Sequence, residues 1–261
     1  MKKEDFIKKT DKIERYSQCK KIGERSPSIL FKYMPIEYAL KSLEDNYLYF
    51  QQLTQWDDQY EKRFYSANYS QICVDNKITP KVHACCFTSK KLNEAHVNAY
   101  INNKEKVCIR FEINTSKLRK CLEQYAKCNP EIKVYEGKVY YGLSDAEIDG
   151  LHKKKRPYHA ICFKNLTLDA YLSLLLIKRN AFEHEQEIRF FIDNKSESCN
   201  PSLFISINWG KVIESILVIV KDSWDGYDDF VSLCEKKCIK KDKIHLFNLY
   251  AMKDFPITIE K

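Results

Sequence analysis

From residue 29 onward, short apolar runs alternate with stretches whose apolar side chains recur at helical spacing. The first run predicts a strand over 29–33. Pro35 suits a helix start, because the missing N–H costs nothing in the first turn. The helix that follows, 36–44, carries Ile36, Ala39, Leu40 and Leu43 on one face. A second strand is expected over 47–50, then a polar, aromatic loop over 55–61 and a helix running toward Cys73. Strands over 82–88 and 107–113 flank a short helix over 93–101. Asn114 or Thr115 caps a helix reaching about Lys127, and residues 133–141 alternate as a strand. Ser144 with Glu147 forms a capping box for a further helix. A Leu-rich amphipathic helix over 167–182 delivers the chain into a strand that begins at Glu185. Strands over 203–207, 215–220 and 245–249 and a helix over 225–236 complete the pattern.

Ahead of this block, residues 3–22 read as a charged, weakly amphipathic helix with Phe6, Ile7, Ile13 and Tyr16, broken by the Gly23–Ser28 stretch. No repeat or low-complexity tract divides the remainder. The expected organisation is a helical arm over 1–28 and one α+β domain over 29–261. Its sheet is expected to be single, mixed and largely antiparallel, with surrounding helices.

The segment from Glu185 to Ile192 concentrates the chemistry. Read as a strand, it sends Glu185, Glu187 and Arg189 to one side and Ile188, Phe190 and Ile192 to the other. Carboxylates two positions apart on a strand stand about 7 Å from each other. One can orient a substrate hydroxyl while the other positions a nucleophile or faces a cationic transition state. Arg189 can hold a carboxylate ionised or grip a phosphate. The same row also fits an exposed edge strand carrying a salt-bridge ladder.

Asp58 and Glu61, in the loop beginning Trp56-Asp57-Asp58, fit a metal or sugar site and equally a capped helix start. Lys178, beside the Leu-rich run, is a further candidate. The six histidines form no HxxxH or HExxH motif, and His184 would face away from the acidic pair on an ideal strand. No Walker A, GxGxxG or GxSxG motif occurs.

Composition changes this picture only slightly. The eleven cysteines are scattered without a CxxC pair, which argues for reduced thiols and against a structural zinc site. No apolar run approaches the ~18 residues of a membrane span, and the charged N-terminus lacks a secretory h-region. The expectation is a cytoplasmic protein with no membrane partner and no metal. A net charge of +8 permits a polyanionic partner. Its sharpest cluster, Lys153, Lys154, Lys155 and Arg156, fits either a nucleic-acid contact or a solvated helix end. Aromatics, including 17 Tyr, are spread evenly.

Taken in order, LFKYMPIEYALKSLEDNYLYF, WDDQYE, ACCFTSKKLNEAHVNAYINNKEKVCIRFEI and KRNAFEHEQEIRFF resemble the bacterial family known as domain of unknown function 2971. The resemblance spans 30–192. Lys32, Tyr33, Asp58, Glu61, Tyr100, Glu185, Glu187 and Arg189 match its pattern, while Trp56, Gln59 and His96-Val97 depart from it. The order of elements also resembles, more distantly, ADP-ribosyltransferases and their split sheet. That resemblance implies an NAD-consuming enzyme, with NAD as substrate. Lys32 and Tyr33 would meet the adenine or ribose side, Tyr100 the nicotinamide, and Arg189 a phosphate. Glu187 would be the catalytic carboxylate and Glu185 the acceptor-orienting one. A bacterial toxin or phage-defence effector is implied, modifying nucleic acid or protein and restrained by a cognate antitoxin or inhibitor. The alternatives are a non-enzymatic recognition module binding nucleic acid or protein, and a metal-dependent nuclease or hydrolase built on Asp58, Glu61, Glu185 and Glu187.

Overall fold

The computed structural model describes residues 19–22, 26–56, 58, 61, 82–91, 94–101, 106–141, 144, 146, 172, 175–194, 202–221 and 223–249. Among these residues, ten strands form one mixed, mostly antiparallel sheet. They are β1 (Cys19–Ile22), β2 (Ile29–Pro35), β3 (Tyr47–Gln52), β4 (Val82–Thr88), β5 (Val107–Asn114), β6 (Ile132–Lys138), β7 (Glu187–Asn194), β8 (Ser202–Ser206), β9 (Ile213–Val220) and β10 (Ile244–Asn248). The helices are α1 (Ile36–Glu44), α2 (Glu94–Tyr100), α3 (Thr115–Cys128), α4 (Trp209–Val212) and α5 (Tyr227–Lys236).

The main path across the sheet runs β1-β6-β7-β4-β2-β5-β9-β10. Only the outer pairs, β1 with β6 and β10 with β9, are parallel. The path forks at β4. One edge of β4 pairs with β7 along its whole length, from Val82–Asp193 to Thr88–Glu187. The other edge is shared between two strands. Thr88 pairs with Phe31 of β2, while His83 and Ala84 pair with Gln52 and Gln51 of β3. β3 continues outward to β8. Strands β2 and β3 therefore diverge from a common neighbour.

The two faces of the sheet differ in kind. On one face, alternate residues of the strands meet α1, α3, α4 and α5 in a continuous apolar core that includes Leu48, Phe50, Phe87, Phe111, Phe190, Trp209 and Ile216. Local polar caps hold the helices in register. Asn114 accepts from Lys117 N, Asn208 accepts from Lys211 N, and Trp209 Nε1 donates to Ser42 O. On the opposite face α2 covers a small cluster of Phe31, Tyr33, Val97, Ile101, Cys108 and Ile219. The same face also carries the buried row Ala84, Phe191 and Tyr135, and the polar side chains of the cleft.

Three expectations need correction. Cys19–Ile22 is a strand paired with Val134–Gly137, so the end of the expected helical arm belongs to the sheet. The Leu-rich helix does not continue through residue 182. Leu175 and Leu176 form a turn, Ile177 bridges to Tyr140, and Asn180–Glu185 is a 3-10 turn. Backbone bonds from Tyr140 N to Leu176 O and from Lys178 N to Tyr140 O satisfy this stretch as a sheet extension instead of a helix. Gln186 then takes a left-handed conformation with φ 44°, and β7 begins at Glu187, not Glu185. The helices expected toward Cys73 and after Ser144, most of the arm, and the cluster Lys153–Arg156 lie outside the described residues. No helix among the described residues is long and apolar enough to cross a membrane.

Candidate active site at the sheet fork

Where β2 and β3 part from β4, the polar face opens into a cleft of about 390 Å³. Cys86 and Thr88 of β4 and Glu187 and Arg189 of β7 form its floor. Phe31 and Tyr33 of β2, with His96 and Tyr100 of α2, make one wall. Tyr49 and Gln51 of β3, with Gln55 and Trp56, make the other. Asp58, Glu61, Lys178, His184 and Glu185 complete the lining.

Arg189 anchors the floor. Its side chain is 1% exposed, and every nitrogen of the guanidinium is engaged. Nε donates to Glu187 Oε2 at 2.7 Å, Nη1 to the Leu175 carbonyl at 2.5 Å, and Nη2 to Glu61 Oε1 at 2.5 Å. The Trp56 ring lies 4.5 Å from the guanidinium carbon, a cation–π contact that closes the last open side. Arg189 is thus a structural centre rather than a free phosphate contact. Lys178 makes the second junction. Its ammonium donates to Glu185 Oε2 at 2.5 Å and to Glu187 Oε1 at 3.0 Å. Glu187 therefore has one oxygen on each cation, and its own amide donates to the Tyr141 hydroxyl at 2.9 Å. Arg179 and Asp58 pair at 3.4 Å.

This network drives the two neighbouring carboxyls apart. Burial pushes Glu187 toward its neutral form, but Arg189 and Lys178 outweigh it and hold the carboxyl well below the usual range. Glu185 moves the other way. Burial, then its hydrogen bond and repulsion with Glu187, raise it to about 7 against the pull of Lys178. Glu185 thus exchanges its proton near neutrality, beside a carboxyl that stays ionised. Pairs separated in this way mark acid–base assignments in known enzymes. Charge counting agrees. Two buried cations, Arg189 and Lys178, balance Glu61 and Glu187, so ionising Glu185 adds one uncompensated charge.

The α2 wall is aromatic. Tyr33 stacks on His96 with centroids 5.2 Å apart and planes at 14°, and on Tyr100 at 6.5 Å. The Tyr33 hydroxyl donates to the Lys91 carbonyl at 2.9 Å. His184 meets His96 edge-on at 6.2 Å. Burial and then His184 lower the proton affinity of His96, which favours a neutral imidazole. On the floor, burial followed by the Glu187 charge pushes the Cys86 thiol up to about 12, so it stays protonated.

Of the residues singled out in the sequence, Tyr33, Asp58, Glu61, Tyr100, Lys178, Glu185, Glu187 and Arg189 all line this one cleft. Lys32 does not. It alternates to the core-facing side of β2, where Nζ donates to the Cys86 carbonyl at 3.1 Å and lies 5.1 Å from the Phe87 ring centre. The geometry also corrects His184, which enters the cleft because it sits on the 3-10 turn and not on the strand. Asp58 and Glu61 are ion-pair partners of Arg179 and Arg189. His96, Tyr49 and Tyr141 had no distinguishing motif. Only the alternation of Tyr47, Tyr49 and Gln51 against Leu48 and Phe50 signalled that part of the wall.

Compared with family models, curated proteins and solved structures, the chain matches none.

Proposed function

We propose that this protein is an NAD-consuming, ADP-ribosyltransferase-like enzyme of the bacterial toxin or phage-defence kind, and a divergent member of the family its motifs resemble. One observation carries the reading. Glu185 and Glu187 share a single ammonium at the foot of an aromatic-walled cleft, with their proton affinities driven in opposite directions. The flat walls suit a nicotinamide or adenine ring, and a buried carboxylate suits a sugar that becomes cationic as its leaving group departs. The cleft volume lies within the range of roughly 300–1,000 Å³ usual for small-molecule sites.

In this reading the ribose C1′–N bond breaks and nicotinamide leaves with the electron pair as a neutral ring. Glu187, fixed in its ionised form, faces the oxocarbenium-like sugar and grips its 2′-hydroxyl. The acceptor oxygen or nitrogen then bonds to C1′, and its proton passes to ionised Glu185. Tyr33, expected on the adenine or ribose side, stacks on Tyr100 at 6.5 Å, so the two rings together hold the nicotinamide side. Lys32 has no role in it, and Arg189 acts by positioning Glu187.

The test is NAD turnover by purified protein supplied with RNA, DNA or lysate. Wild type should release nicotinamide, and Glu187→Gln should lose about three orders of magnitude in rate, in line with removal of a group that stabilises transition-state charge. Its thermal melt should still show a cooperative fold. If wild type never consumes NAD under these conditions and Glu187→Gln arrests growth as wild type does, the reading is wrong. A metal-dependent hydrolase needs Asp58, Glu61, Glu185 and Glu187 available to a divalent cation, whereas here each pairs with Arg179, Arg189 or Lys178. Activity abolished by EDTA and restored by Mg²⁺ would select that reading instead.

A further inference from the structure

The polar face does not end at the cleft. It continues across β3 onto β8 through the pairs Tyr47–Ser206, Tyr49–Phe204 and Gln51–Ser202. Alternation places these six side chains together, because Leu48, Phe50, Leu203 and Ile205 turn the other way into or against the core. Phe204 is 52% exposed, unusual for a phenylalanine at the centre of a strand. Tyr47 meets it edge-on at 4.7 Å and Tyr49 tilted at 5.5 Å. The Tyr49 hydroxyl lies 3.2 Å from Ser202 Oγ, and Tyr49 itself lines the cleft. An open row of rings interleaved with Ser and Gln therefore runs from the surface to the site.

We propose that this β3–β8 face is a stacking platform for single-stranded nucleic acid, which it leads toward the cleft. Rings supported by a sheet and flanked by small hydrogen-bonding side chains suit bases, since every base offers a π-face and polar edges. The six side chains carry no charge that would repel phosphate. The chain bears +8 overall, and at the turn that opens β3 the Lys237 ammonium sits on the Glu44 carbonyl, beside Asp45, whose charge reaches Tyr47. As an acceptor route, the proposal rests on the NAD reading of the cleft. As a binding surface, it stands alone.

Fluorescence anisotropy with labelled oligo(U) and oligo(dT), in the absence of NAD, tests it. Wild type should bind with affinity that falls steeply with salt. Phe204→Ala should bind about ten-fold or more weakly, in keeping with loss of one stacked base. Phe204→Trp should keep the affinity, and circular dichroism should show all three proteins folded alike. Oligonucleotide binding that is absent, or equal in wild type and Phe204→Ala, overturns the platform. So does a Phe204-dependent self-association or protein capture without oligonucleotide binding. A protein that grips the oligonucleotide through Phe204 yet never consumes NAD breaks only the reading of the cleft.

Discussion

Strand β7 offers two regions to compare, because it presents one face to each side of the sheet. Ile188, Phe190 and Ile192 enter the apolar core, while Glu187 and Arg189 enter the cleft. The core set and Arg189 are almost fully buried, and the Glu187 side chain is 12% exposed. On the core side, stability comes from area removed from water and from close packing, neither of which depends on pH. On the cleft side, two cations and two carboxylates are kept out of water only because each satisfies another. Such an arrangement adds little net stability compared with apolar replacements, yet it is costly to break at a single point. The cleft side holds charge in fixed positions, which is what chemistry on a polar substrate needs.

The comparison can be broken most directly by cutting each side once. Phe190→Ala should destabilise by about 3–5 kcal/mol, and denaturant titrations should give the same loss across pH. Arg189→Met should cost a comparable ~3–5 kcal/mol near neutrality, because Glu61 and Glu187 lose their shared partner. That loss should shrink in acid. The lowered proton affinity of Glu187 contributes stability above its ordinary range near 4.5, and this contribution disappears as pH falls and the carboxyl protonates. Equal losses for both variants at every pH would mean that the network is not the charged unit described.

Glu185 sharpens the contrast further, with the opposite sign. A carboxyl raised to about 7 favours the fold while it stays protonated, below about 4.5, and this benefit is lost as pH rises through about 7. Wild-type stability should therefore decline over that window by at most ~1.4 kcal/mol per pH unit, and Glu185→Gln should flatten the decline. NAD turnover should rise over the same window as the base form of Glu185 appears. The smallest expected effect lies on the periphery. Lys117 and Glu214 pair at 2.6 Å with both side chains largely solvated, so Lys117→Met should cost about 0–1 kcal/mol and vanish in high salt.

Local pattern carried most of the element assignments. Helix α1 starts and ends where its apolar spacing does, and Asn114 caps α3 as its position indicates. The failures came from residues whose backbone is bound by something distant. Leu175–Ile177 looks helical, but its partners are Tyr140 and Arg189. Glu185 joins Glu187 through Lys178 and not through strand alternation. Lys32 matched a motif but lies on the wrong side of its strand, something visible only once Phe31 and Tyr33 are placed in the cleft. The carboxyl pair was legible as a pair. Tyr33 and Tyr100 were legible through the resemblance, whereas Tyr49 and the two histidines were not, since nothing in the spacing of Tyr49, His96 and His184 links them.

The bond between Arg189 and Glu61 has a consequence for timing. The two residues are 128 positions apart, and β7 must slot between β4 and β6, both made earlier. At translation rates of about 5–20 residues per second, Glu61 leaves the synthesis machinery roughly 6–25 s before its partner. During that interval the nascent chain has neither a cleft floor nor a paired carboxylate. Any activity built at this fork would be silent throughout most of the chain's synthesis and would switch on only as its last third emerges.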